Sequence, residues 1–251
     1  MCRATTDCPT GLSGLDGREI VVAPGETATV SGRPPRLDRS IIELLRGPEV
    51  ARINFRCRST TIDGAGYGIV ACAIEAGHIH VEVGRPPTGD ACYSALASTM
   101  DSGRELTPDT LYVADTLDLE RLRKRALVVH EATHAIQDYR QRSMTHGEAE
   151  VGAYVAFVLY YLVCGIDWAD RDVVDPPTTP SSLESIRLGD AAHAAALRIH
   201  RDPSRNEVTA AEYELIYNAL KNHSVYDGVV AQTCRFDGFG THVPDASRRS
   251  T

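Results

Sequence analysis

The sequence predicts an α+β fold: a small mixed or antiparallel sheet packed on one functional helix, with additional helices toward the C-terminus. Three observations predict it. Between Ile53 and Val83, and again at Thr110-Leu111-Tyr112-Val113, short apolar and alternating runs of strand length are bounded by glycine and proline. From Leu119 onward the chain changes to long stretches free of Gly and Pro, with helical spacing. The first of these carries His130-Glu131-Ala132-Thr133-His134, an H-E-x-x-H motif.

In chain order, residues 1–40 are rich in Gly, Pro, Thr and Arg and read as a loosely ordered N-terminal segment. Ile41 to Leu45 reads as a short helix and opens a core that runs over 41–165. Ile53 to Arg58 alternates as a strand, and Tyr67 to Ile74 with His78 to Val83 reads as a hairpin closed around Glu75-Ala76-Gly77. Arg85 to Asp90 is a loop, and Thr110 to Val113 a strand just before the motif helix. That helix begins amphipathic near Leu119 and becomes fully apolar at Ala126-Leu127-Val128-Val129. It therefore dives into the protein as it reaches the motif. Thr145-x-x-Glu148 has the form of a capping box and starts a second helix, apolar from Val151 to Cys164 and stopped by Gly165. Asp175 to Pro180 is a rigid linker. Capping boxes at Ser181-x-x-Glu184 and Thr209-x-x-Glu212 announce two more helices within 181–223, which close the cleft or form a subdomain. Residues 237–251 read as a flexible tail.

Two histidines four apart on a helix lie one turn apart on one face, so the imidazoles of His130 and His134 can reach a single metal ion. Glu131 projects beside that face and can act as general base on a metal-held water. This is the arrangement a zinc hydrolase needs, so the expected cofactor is Zn²⁺. A catalytic zinc takes a third protein ligand. Glu148 and Glu150 compete for that role, with His146 in the preceding turn a weaker candidate. Glu148 already has a structural task in its capping box. Glu150 sits one turn into an otherwise apolar helix, where a lone carboxylate needs a partner, and Ala153 at i+3 lets two helices approach closely. The preferred metal set is His130, His134 and Glu150. Asp138, one turn after His134, reads first as an exposed helix end and second as a group that orients a ligand imidazole.

On His130, Glu131 and His134, then Glu150 with Ala153, the chain resembles the gluzincin group of zinc metallopeptidases, especially its short bacterial zincin-like members. The resemblance covers about residues 110–164. The H-E-x-x-H-x-x-Q form ending in Gln137 also recurs in such domains. The three-histidine metzincin pattern is absent. The resemblance implies a zincin-like fold and a metallopeptidase acting on a peptide or protein substrate, with a cleft-bordering strand that pairs with an extended substrate. Two other classes compete. One is a zinc-binding zincin-like module without turnover. The other is a di-iron carboxylate protein, which needs a second E-x-x-H on a facing helix; the other such run is Glu75-Ala76-Gly77-His78.

A net charge of −8 on 251 residues gives no support to nucleic acid as a partner. The Val151–Cys164 run is too short for a membrane span, which needs about 20 residues, and reads as a buried core helix. No positively charged and then apolar leader opens the sequence, so the expected location is cytoplasmic. Seven cysteines form no C-x-x-C; Cys57, Cys72 and Cys92 could pair in an exported protein, or stay reduced in a cytoplasmic one. His78-x-His80 reads as a pair of ordinary exposed side chains. Gly64-Ala65-Gly66-Tyr67-Gly68 lacks the Lys-Ser/Thr and the following helix of a phosphate loop, so nucleotide binding is discarded.

Overall fold

The computed structural model describes residues 35–87, 89–99, 103–140, 143–174, 176, 180–223, 226 and 228–239, without the side chains of residues 35–36 and 180–185. The chain divides into Met1–Pro35 and Arg36–Thr251, and the fold described is that of the second unit. It is α+β. Its elements are α1 (Pro35–Leu45), β1 (Asn54–Cys57), β2 (Thr60–Asp63), α2 (Gly64–Ala76), β3 (His80–Gly84), β4 (Ala91–Ser94), β5 (Ser98–Thr99), β6 (Glu105–Leu106), β7 (Thr110–Ala114), α3 (Leu122–Tyr139), β8 (Met144–Thr145), α4 (His146–Val163), α5 (Arg171–Val174), α6 (Pro180–Arg201), α7 (Ala210–Lys221) and β9 (Thr233–Cys234).

The main sheet has the order β3-β7-β4, with β3 parallel and β4 antiparallel to the central β7. Every residue of β7 is buried, as befits a central strand covered on both faces. The other sheets are two-stranded: β1-β2, β5-β6 and β8-β9.

The core is built around α4. From Val151 to Val163 all its side chains are buried, and it packs against α3 and α6. A helix apolar on every side is what such a central position demands. Gly152 lets it approach α3 closely: a Cβ there would lie 3.1 Å from Gln137 Nε2. Among the described residues no single helix is long and apolar enough to cross a membrane.

Several expectations are corrected. The segment read as the first strand of a hairpin is the helix α2, and it begins within the glycine run that was expected to precede no helix. Asp63 caps it, accepting from Gly66 N at 2.7 Å, and Gly77 ends it in the left-handed region at φ 76°. Gly66 is needed because a Cβ would lie 3.1 Å from Ile136 Cδ1 of α3. α2 is apolar on most sides, so it carries no amphipathic period to separate it from a strand. The helix expected at Ile41 starts earlier, at Pro35. β4 falls in a stretch that received no assignment. The expected tail beginning at Asp237 is docked at its start: Gly238 N donates to Asp138 Oδ1 at 3.0 Å, and Phe239 stacks on Tyr139. Residues 1–34, the Asp175–Pro180 linker in large part, the side chains of the Ser181-x-x-Glu184 box and residues 240–251 lie outside the described residues. Cys57, Cys92, Cys164 and Cys234 form no disulfide, so Cys57 and Cys92 are not bridged.

Candidate metal centre

α3 carries Leu122, Ala126, Val128 and Val129 into the core, and the next residues, His130 and Glu131, are buried with them. α4 starts from the Thr145 capping box: Thr145 Oγ1 accepts from Glu148 N at 3.2 Å, and Glu148 Oε2 accepts from Thr145 N at 2.8 Å. Glu148 is thereby occupied at the helix end. Two residues on, Glu150 projects toward α3. Its Oε2 lies 3.3 Å from His130 Nε2, and its Oε1 lies 3.5 Å from His134 Nε2. Ligand atoms of these three residues all lie within 4.8 Å of one another, the spacing of groups that can share one ion. The structure thus brings His130, His134 and Glu150 together. His146 lines the same cavity but stands outside this group, as does Glu148.

Glu131 is placed beside the cluster. Its Oε2 accepts from the backbone N–H of Tyr93 in β4 at 2.8 Å, and its Oε1 lies 4.0 Å from His130 Nε2. Burial pushes its carboxyl above the usual range, opposed by the two imidazoles and the Tyr93 N–H.

Gln137 holds His134 from behind. Its Nε2 donates to Ala149 O at 2.9 Å, which turns its Oε1 toward His134 Nδ1, also at 2.9 Å. An amide oxygen only accepts, so Nδ1 carries the proton. In neutral His134 the lone pair is then on Nε2 and faces a carboxylate oxygen. Two electron-rich atoms at that distance repel unless a proton or a metal cation lies between them. Burial disfavours the imidazolium, but the Glu150 carboxylate outweighs it and raises the His134 pKa to about 9. Burial likewise opposes charge on Glu150, yet the imidazoles hold its carboxyl below the usual range. Glu150 Oε2 is buried and makes no well-aligned hydrogen bond. A tautomer fixed from behind, two converging Nε2 atoms and a buried carboxylate oxygen form a donor set that fits zinc.

Sequence reasoning missed several parts of this site. The anchor on Glu131 is a backbone group 38 residues upstream in an unassigned strand, with no local signal. Gln137 was noted as part of a motif; its position at i+3 from His134 could have suggested its task. Asp138 is neither an exposed helix end nor a partner of an imidazole. It is fully buried and accepts from Tyr93 OH at 2.7 Å and from Gly238 N. The chain after α7 lines the far wall, with Tyr226 OH 3.3 Å from Tyr154 OH. His78 and His80 are not part of the cavity wall.

The cavity over these residues has a volume of about 910 Å³. β4 and the loop after it form one wall, α3 and α4 form the floor, and Tyr226, Val229 and Thr233 to Phe236 face them. The chain matches no protein-family model, no curated protein and no solved structure.

Proposed function

We propose that the chain is a zinc-dependent hydrolase with a zincin-like fold, and that it cleaves peptide bonds. The observation that carries this reading is the convergence of His130 Nε2, His134 Nε2 and Glu150, with Glu131 anchored beside them rather than among them. His130, His134 and Glu150 would hold the ion. The chemistry a bound zinc supplies is Lewis acidity, which polarises a carbonyl and eases deprotonation of water near neutral pH.

The chain's own residues do the rest. Glu131 takes a proton from the attacking water at Oε1, because Oε2 is engaged by Tyr93 N–H, and passes it to the leaving amine. Its raised pKa suits a group that must both accept and release that proton. Burial keeps bulk water from Glu131 and strengthens each electrostatic contact around it. Support for a peptide comes from β4. It pairs with β7 on one side, and Tyr93 N–H points to the cavity side, where it meets Glu131. An extended chain can lie along this edge of the sheet. The cavity is at the upper end of small-ligand sites, which run to about 1,000 Å³.

The test is a peptide-library cleavage assay on zinc-loaded protein beside a Glu131→Gln variant. The expected result is cleavage by the parent and a drop of about 10²- to 10⁴-fold in the variant, with zinc retained. Hydrolysis that survives both chelation and Glu131→Gln belongs to another site and ends this proposal.

A further inference from the structure

β4 stands at the end of the sheet order β3-β7-β4 and packs on α3. Three polar residues of α3 hold it there. Lys124 Nζ lies 2.5 Å from Oδ2 of Asp90, the residue just before β4. Glu131 Oε2 accepts from Tyr93 N at 2.8 Å, and Asp138 Oδ2 accepts from Tyr93 OH at 2.7 Å. Lys124, Glu131 and Asp138 follow one another at intervals of seven. They therefore share one face of the helix, with a drift of about 20° per interval.

The spacings of strand and helix agree. Asp90 and Tyr93 are three residues apart, about 10 Å in an extended chain. Lys124 and Glu131 are seven apart, about 10 Å along a helix. The Tyr93 side chain carries the same line on to Asp138, two turns further along α3. Tyr93 thus grips α3 at both its ends, by backbone and by hydroxyl. That hydroxyl is a secure donor. Burial, with Asp138 and Asp109 beside it, pushes its pKa far above the usual range, so it keeps its proton. Lys124 is largely buried, so separating it from Asp90 is costly.

Resting on the hydrolase reading above, we propose that Asp90, Lys124, Asp138 and the Tyr93 hydroxyl are positioning groups for Glu131. Pairing with β7 sets β4 in the sheet, and the two outer contacts set it along α3. The Tyr93 N–H between them then meets Glu131 Oε2 in one place. With Oε2 held, Oε1 is left to take the proton from water. Misplacing a catalytic group by about 1 Å costs about 10²-fold in rate, and these contacts prevent it.

Two variants test this. Tyr93→Phe removes the hydroxyl and keeps the backbone. Asp90→Asn weakens the other outer contact without touching Tyr93 or Asp138, so it decides the matter even if Tyr93→Phe does not fold. Amide hydrogen exchange, read by NMR on the whole chain, needs neither zinc nor turnover. The expected result in each variant is exchange at the residue-93 amide at least about tenfold faster, the effect of weakening one charge-assisted hydrogen bond. The amides of Val155 and Val158 in α4 are expected to stay unchanged. On zinc-loaded protein each variant is expected to lower kcat for peptide cleavage by about 10- to 10²-fold, with KM and zinc content unchanged. In a Glu131→Gln background it is expected to cost nothing further, because the effect runs through Glu131. A merely structural role lowers kcat equally in both backgrounds. That result, or an unchanged residue-93 amide in the folded variants, overturns the proposal and leaves the metal site standing. A parent chain that cleaves no peptide ends the hydrolase reading, and the role given to Glu131 with it.

Discussion

Gln137 joins the two helices of the candidate site through one amide, donating to Ala149 O on α4 and facing His134 on α3. At this scale the chemistry is decided by which atoms remain uncommitted. Glu148 and Glu150 are two residues apart, yet one closes a capping box and the other faces two imidazoles. The capping signature made that division legible, because Thr145-x-x-Glu148 is a local pattern with a local cause. Tyr93 and Tyr226 were not legible, because their tasks depend on chain brought in from 38 and 72 residues away from Glu131 and Tyr154. Paired substitutions separate the two glutamates. Glu150→Ala should lose metal affinity and activity together. Glu148→Ala should lower stability by about 1 kcal/mol with metal retained. Metal analysis and urea unfolding read the two effects, and the reverse pattern would transfer the ligand role to Glu148.

At the scale of elements, the site is a product of helix packing. α4 can present Glu150 to α3 because Gly152 lets the helices close on each other, and α6 covers the opposite side of α4. α3 and α4 were readable because each has an amphipathic start or a cap. α2 reads as strand from sequence because a helix buried on most sides shows no 3.6 period, and its cap, Asp63 before a glycine run, carries no capping box to announce it. β4 is four residues long, too short for an alternation to declare itself. A close approach of the same kind occurs at Gly189 in α6. A Cβ there would lie 2.3 Å from Trp168 Cζ2, and that indole is held by Asp190 through a 2.9 Å hydrogen bond and by Arg171 stacked at 4.6 Å. Gly189→Ala gains about 1 kcal/mol of helix propensity but forces an overpacking cost of about 1–3 kcal/mol. Because the indole is pinned, the upper part of that range applies and the net effect is a loss of about 1–2 kcal/mol. Thermal unfolding should show a Tm lowered by several degrees; an unchanged or higher Tm would mean that Trp168 moves aside freely.

At the scale of the molecule, the chain after α7 returns across the site and is fastened to α3. Gly238 N and Tyr93 OH both donate to Asp138, which links this segment, the end of α3 and the strand that anchors Glu131. Burial raises the Asp138 pKa from 3.8 to about 6, against the two donors and with Asp109 and Asp237 adding to it. Between about pH 4 and pH 6 the native protein therefore binds more protons at this residue than the unfolded chain. Its contribution to stability falls as pH rises through that window, by about 3 kcal/mol for two pKa units. Asp138→Asn should flatten that part of the pH–stability curve measured by urea unfolding, and an unchanged slope would assign the titration elsewhere. None of this linkage was visible in the sequence, where the segment from Asp237 looked like an ordinary polar tail.

The central claim is that His130, His134 and Glu150 hold one zinc ion in a preformed site between α3 and α4. Its most direct test is the metal content of purified protein after zinc loading and gel filtration, for the parent chain and for His134→Ala. The account predicts about one zinc per parent chain, removed by a strong chelator and restored by added Zn²⁺, and close to none in the variant. Equal zinc in both proteins, or none in a folded parent, would contradict it.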